Sequence, residues 1–162
     1  MFKHQRYEIK AGIGFGLASG VITTLGMIIG LNSAIKEKLP IIGAIIMIAV
    51  ADALSDALGM YISEEYQSKH TKKEILESTF TTLLSKFSFA IIFVFPFIFL
   101  NLSSAVAASL ALGFVILTIF SAVIARQEKQ GIGKVVFHHL FIATFVISVS
   151  QILGVFISLF FS

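Results

Sequence analysis

The sequence predicts an all-α polytopic membrane protein with five transmembrane helices and a cytoplasmic N-terminus. Three observations predict it. Apolar residues fill 57% of the 162 positions and charged residues only 13%, about half the charged share of an ordinary soluble domain. The apolar residues stand in long runs, and 18 or more without charge are enough to cross the roughly 30 Å hydrocarbon layer as a helix. The few Lys and Arg gather at the edges of those runs, where a membrane protein keeps them; the net charge of +3 therefore does not point to nucleic acid.

The N-terminal MFKHQRYEIK has the basic start of a signal peptide. The apolar segment after it is too long for a signal h-region and ends in no small-residue cleavage site, so it reads as a permanent helix. Ala11 to Ile35 carries no charge, placing the first span at about 11–33. The polar turn Lys36-Glu37-Lys38 follows, and Pro40 suits the first turn of the next helix, where its missing N–H is not needed. The second span, about 39–63, is interrupted only by Asp52 and Asp56. Residues 64–79 form a short polar cytoplasmic connection that extends the second helix into water and turns into the third.

Between Lys86 and Arg126 lie 39 uncharged residues, which as one helix would measure roughly 58 Å at 1.5 Å per residue. The run must fold back, and Asn101-Leu102-Ser103-Ser104 is the best turn. The third and fourth spans fall at about 80–100 and 103–125, Arg126 to Lys134 is a loop, and the fifth span covers 135–161. The chain reads as a single five-helix domain, 1–162. With the N-terminus inside, the cytoplasmic segments hold Lys3, Arg6, Lys10, Lys69, Lys72, Lys73, Lys86, Arg126, Lys129 and Lys134, against Lys36 and Lys38 outside. That is a positive-inside distribution.

Cysteine is absent, which excludes disulfides, thiolate metal sites and a cysteine nucleophile. The chemistry concentrates in the second span. Asp52 and Asp56 lie one helical turn apart, and steps of four continue the stripe to Met60 and Glu64. Ser55, Gly59 and Ser63 flank it with small and polar groups. A carboxylate in hydrocarbon costs at least about 2.5–3.5 kcal/mol on insertion scales and usually faces a cavity or a partner. Two of them repel each other, so the pair is expected to share a proton or a cation. Lys86 is expected to snorkel outward at the end of the third helix, leaving no basic residue in the core of any span to neutralise them. Carboxylates with a thioether in line suit a first-row transition metal. Met27 and Met47 read as packing.

In the first span Gly12, Gly16 and Gly20 recur at intervals of four, letting another helix approach closely, either within the subunit or across a dimer. Ser19, Thr23 and Thr24 can present hydroxyls to the acidic stripe. Of His138 and His139, about 100° apart, at most one faces inward. His70, Glu74 and Glu77 share a helix face and form a candidate metal cluster at the cytoplasmic mouth; Lys72 and Lys73 favour a solvated turn instead.

The segments GLASGVITTLGMIIGL and AVADALSDALGMYISEEY resemble the vacuolar iron transporter family, and the similarity extends through FPFIFL, with Pro96, over most of the chain. The resemblance implies five spans, a cytoplasmic N-terminus and movement of ferrous or manganese ions, with Asp52, Met60 and Glu64 at the positions of the family's second-helix motif. This sequence departs from that pattern in two places. The family's usual first-helix acid is here Ser19, and the long cytoplasmic insert rich in Glu and Met is reduced to about fifteen residues. Asp56, where the family tends to have a small residue, is expected to replace part of the missing acid.

The function expected is a homodimeric transporter exporting Mn²⁺ or Fe²⁺ from the cytoplasm in exchange for protons. Its metal-site residues are Asp52, Asp56, Met60 and Glu64, and Ser19, Thr23, Ser55 and Gly59 line the path. The partners are divalent metal ions, protons and the lipid bilayer, with no nucleic acid, no cofactor beyond the transported ion and no enzymatic reaction. A prokaryotic plasma membrane is the expected location. The alternatives are a membrane scaffold that transports nothing and a metal-dependent transferase using Asp52 and Asp56. The transferase lacks both the upstream phosphate-binding segment and the basic residues it would need.

Overall fold

The computed structural model describes residues 2–67 and 71–161, with side chains from residue 9 onward. The described chain is helical: α1 (Phe2–Ala34), α2 (Lys38–Met47), a π-helical turn (Ile48–Asp52), α3 (Ala53–Gln67), α4 (Lys72–Ile91), α5 (Val94–Phe99), α6 (Leu102–Gln127) and α7 (Ile132–Phe161). Among the described residues five stretches are long and apolar enough to cross a membrane: Ile9–Ala34, Lys38–Gln67, Lys72–Phe99, Leu102–Gln127 and Ile132–Phe161.

Local chemistry sets the breaks between them. Lys36, at φ 55°, turns the chain out of α1, and Pro40 lies in the first turn of α2. Thr71 caps α4 by accepting the Glu74 N–H at 3.3 Å, while the Glu74 carboxylate accepts the Thr71 N–H at 2.8 Å. This reciprocal capping box occupies one of the acids considered for a cytoplasmic metal cluster. The third span is interrupted after Ile91 because Pro96 has no N–H for the Ile92 carbonyl and its ring crowds that carbonyl. Asn101 caps α6, its side-chain oxygen accepting the Ser104 N–H at 2.9 Å, so the fold-back lies at the expected turn. α6 ends in a Schellman motif: Gln130 N–H reaches the Ala125 carbonyl at 2.8 Å, with Lys129 at φ 54°. The loop before α7 is therefore shorter than the expected 126–134.

The chain forms two compact units, residues 1–20 with 45–92 and residues 21–44 with 93–162. The first holds the start of α1, the π turn, α3 and α4. The second holds the remainder of α1, most of α2, and α5 to α7. In the second unit Leu25, Phe93, Phe97 and Leu117 are buried, and Leu25 fills the space a side chain at Gly113 would need. Large apolar side chains cover the outside of α7, with Phe137 71%, Phe145 62% and Leu159 75% exposed. Such a face suits hydrocarbon, which solvates it as well as another apolar side chain would.

Candidate functional site

The site lies in the first unit, where α1, the π turn, α3 and α4 meet. α1 and α4 approach almost backbone to backbone. A Cβ on Gly16 would stand 2.6 Å from the Thr82 carbonyl oxygen and 2.9 Å from the Lys86 nitrogen, and one on Gly20 would stand 3.1 Å from the Lys86 carbonyl oxygen. At Gly12 a Cβ would collide with the Thr81 hydroxyl. The glycine stripe therefore packs against α4 of its own chain.

This close approach encloses Lys86. Its side chain is 1% exposed and does not snorkel outward; the expectation that the acids lack a basic partner is corrected here. The Lys86 Nζ lies 2.6 Å from Asp52 Oδ2, contacts Asp56 Oδ2, and donates to Ser19 Oγ at 2.9 Å. Ser19 in turn donates to Asp56 Oδ2 at 2.7 Å. Asp52 Oδ2 has no directed hydrogen bond, so its link to Lys86 is ionic. Two carboxylates, one hydroxyl and one ammonium thus form a single cluster carrying a formal charge of about −1 with both acids ionised. Lys86 is buried, whereas the Asp52 and Asp56 side chains are 35% and 21% exposed. The acids form the accessible side of the cluster.

The π turn ends on Asp52. Each π turn takes in an additional residue, shifting the helix face ahead of it, and such turns recur at functional sites. Beyond Asp56 the acids keep to the side of α4. Met60 is half-buried, and Glu64, 5% exposed, accepts the Ser78 hydroxyl of α4 at 2.7 Å. Among the described residues no three acidic, His or Cys side chains gather at one point. Ser55 and Gly59 are exposed, and a Cβ on Gly59 would meet nothing within 4 Å. Thr23 is half-buried in the second unit, whereas Ser19 belongs to the first. His70 lies outside the described residues. Glu77 pairs with Lys73 at 3.8 Å, so the described acids of the expected cytoplasmic cluster serve a helix cap and an i,i+4 pair. Of the two adjacent histidines, His139 is half-buried against Ser121 of α6, with Nδ1 2.8 Å from the hydroxyl.

The inward place of Lys86 differs from the expected snorkelling, although two signals in the sequence point to it. Lys86 is the only Lys or Arg between Lys73 and Arg126, and intramembrane acids call for a cationic partner. Fold and site together define a helical protein of membrane-spanning dimensions with a charged cluster inside its first unit. Comparison with protein-family models, curated proteins and solved structures finds no match to this chain.

Proposed function

We propose that this protein is a transporter of divalent first-row metal ions, Mn²⁺ or Fe²⁺, exporting them from the cytoplasm in exchange for protons across a prokaryotic plasma membrane. The observation that carries this reading is the convergence of Asp52 and Asp56 on one cationic nitrogen, with Ser19 beside them. A site that holds an ammonium with two carboxylate oxygens already has a cation's shape and charge. A divalent ion takes that seat with stronger attraction, since Coulomb energy scales with the product of charges. The ion approaches past Glu64 and Met60, a thioether favouring transition metals over Mg²⁺ or Ca²⁺. Protons returning to the carboxylates then release it.

The resemblance to vacuolar iron transporters supports the same cargo. Asp56 lies against the Ser19 hydroxyl, where the family's first-helix acid is expected, so the charge has moved between helices without leaving the site. The partly exposed acids beside Ser55 and Gly59 need a cover other than lipid; a second copy of the chain provides it, making the working unit a homodimer.

Lys86 favours one other reading. An ammonium fixed between two carboxylates is also what a static lock in a non-transporting scaffold would contain. Thermal unfolding in detergent separates the two. Added Mn²⁺ raises the midpoint of the wild-type protein and leaves Asp52→Asn/Asp56→Asn unmoved if the site takes metal. An equal response, or none in either protein, leaves the scaffold.

A further inference from the structure

A second group of polar side chains, separate from the carboxylate cluster, lines a cavity of about 640 Å³ where α6 hands over to α7. Gln130, Lys134, His138 and His139 face it together with Val135 and Phe137, and among the described residues no acidic one does. The hydrogen bonds place a proton on His139 Nδ1. Ser121 has one hydroxyl proton, which goes to the Leu117 carbonyl at 2.5 Å. At its 2.8 Å contact with His139 Nδ1 the serine oxygen must therefore accept, and Nδ1 carries the ring proton. In the neutral ring Nε2 then carries the lone pair, and it is the nitrogen that can accept a hydrogen bond from the cavity. One wall thus offers a cationic donor, Lys134, and an acceptor, His139 Nε2.

The apolar surroundings continue from the same place. Phe137 and Phe141 stack with ring centroids 6.2 Å apart, and Phe137, Phe141 and Phe145 are 71%, 61% and 62% exposed along one side of α7. A charged pocket at the head of an exposed aromatic track at the end of a membrane-length helix matches one class of molecule. Its phosphate would meet Lys134, a hydroxyl donor would meet His139 Nε2, and its acyl chains would lie on the phenylalanines. Basic pockets between membrane helices bind anionic headgroups by this complementarity.

We propose that this cavity seats the headgroup of an anionic phospholipid bearing hydroxyl donors, of the phosphatidylglycerol type. Phosphatidylcholine offers the phosphate but no donor for Nε2, and its positive choline faces Lys134. The test is thermal unfolding of the detergent-purified full chain with added phosphatidylglycerol, phosphatidylcholine or inorganic phosphate, with lipid retention read by native mass spectrometry. Phosphatidylglycerol is expected to raise the midpoint and to remain bound, the other two not. Lys134→Gln/His139→Gln is expected to weaken its binding at least tenfold. Lys134→Gln alone, at an exposed position, gives a partial loss and serves if the double variant does not fold. Equal stabilisation by phosphatidylcholine overturns the proposal as a general lipid effect, and an equal shift with inorganic phosphate reassigns the site to a free anion. Unchanged phosphatidylglycerol binding in the variants also overturns it.

Discussion

Replacing Lys86 with methionine keeps an unbranched apolar stem and removes the terminal ammonium that holds the cluster together. Its Nζ contacts Asp52 Oδ2 at 2.6 Å, Asp56 Oδ2 and Ser19 Oγ, so the substitution leaves two carboxylates facing each other with only the Ser19 hydroxyl between helices. Removing one partner of a buried ion pair costs about 3–5 kcal/mol. The low end applies because the Asp52 and Asp56 side chains are 35% and 21% exposed, and water or a proton can relieve part of the repulsion. About 3 kcal/mol corresponds to a fall of roughly 6–12 °C in Tm for a chain of this size. Differential scanning fluorimetry in detergent reads it directly. Mn²⁺ at about a hundred times its Kd adds about 2.7 kcal/mol and returns most of the loss, because the metal occupies the vacated seat. Lys86→Met/Asp52→Asn/Asp56→Asn, with no charge left to balance, recovers most of the stability without metal. An unchanged Tm in the single variant would falsify the claim that this cluster holds α1, α3 and α4 together.

Other substitutions test the surrounding packing. Gly16→Val forces a side chain to within 2.6 Å of the Thr82 carbonyl oxygen and is expected to cost about 1–3 kcal/mol or more, read as a lower Tm. Gly59→Ala, with open space around it, is expected to raise helix stability by roughly 0.5–1 kcal/mol. Thr71→Ala removes the capping box and costs about 0.5–2 kcal/mol, seen as faster hydrogen exchange in the first turn of α4 and little change elsewhere. The chain has no cysteine, so single cysteines report sidedness without background. An impermeant thiol reagent on intact cells is expected to label Glu37→Cys and Ser103→Cys and to spare Gln130→Cys; the reverse pattern inverts the orientation.

The helical plan was legible because it rests on features local in the chain. The long uncharged runs give the spans, Asn101 gives the fold-back, and Pro40 suits a first helical turn. The capping box at Thr71 and Glu74 is equally local, but in the sequence the charge of Glu74 beside His70 and Glu77 points as readily to a metal as to a helix start. The π turn leaves no composition signal in Ile48–Asp52, since it depends on how the neighbouring helices share space. Lys86 was misplaced for a related reason. Snorkelling is the usual course for a lysine near a helix end, and only the depth of contact at Gly16 and Gly20 shows that α1 closes over it. The glycine spacing was visible, but the helix it meets was not. Glu64 fits the stripe by number, and its partner Ser78 stands eight residues before Lys86 on α4 as Glu64 stands eight after Asp56.

The proposed transport role is tested most directly by flux. Wild-type protein in liposomes containing a pH indicator, given a Mn²⁺ gradient, is expected to move the ion with an opposing movement of protons. Fe²⁺ should be accepted in its place, Mg²⁺ should not, and Asp52→Asn/Asp56→Asn should be inactive. Equal Mn²⁺ movement by the wild type and the double variant would contradict the account, because the carboxylates seated on Lys86 would then have no part in carrying the ion.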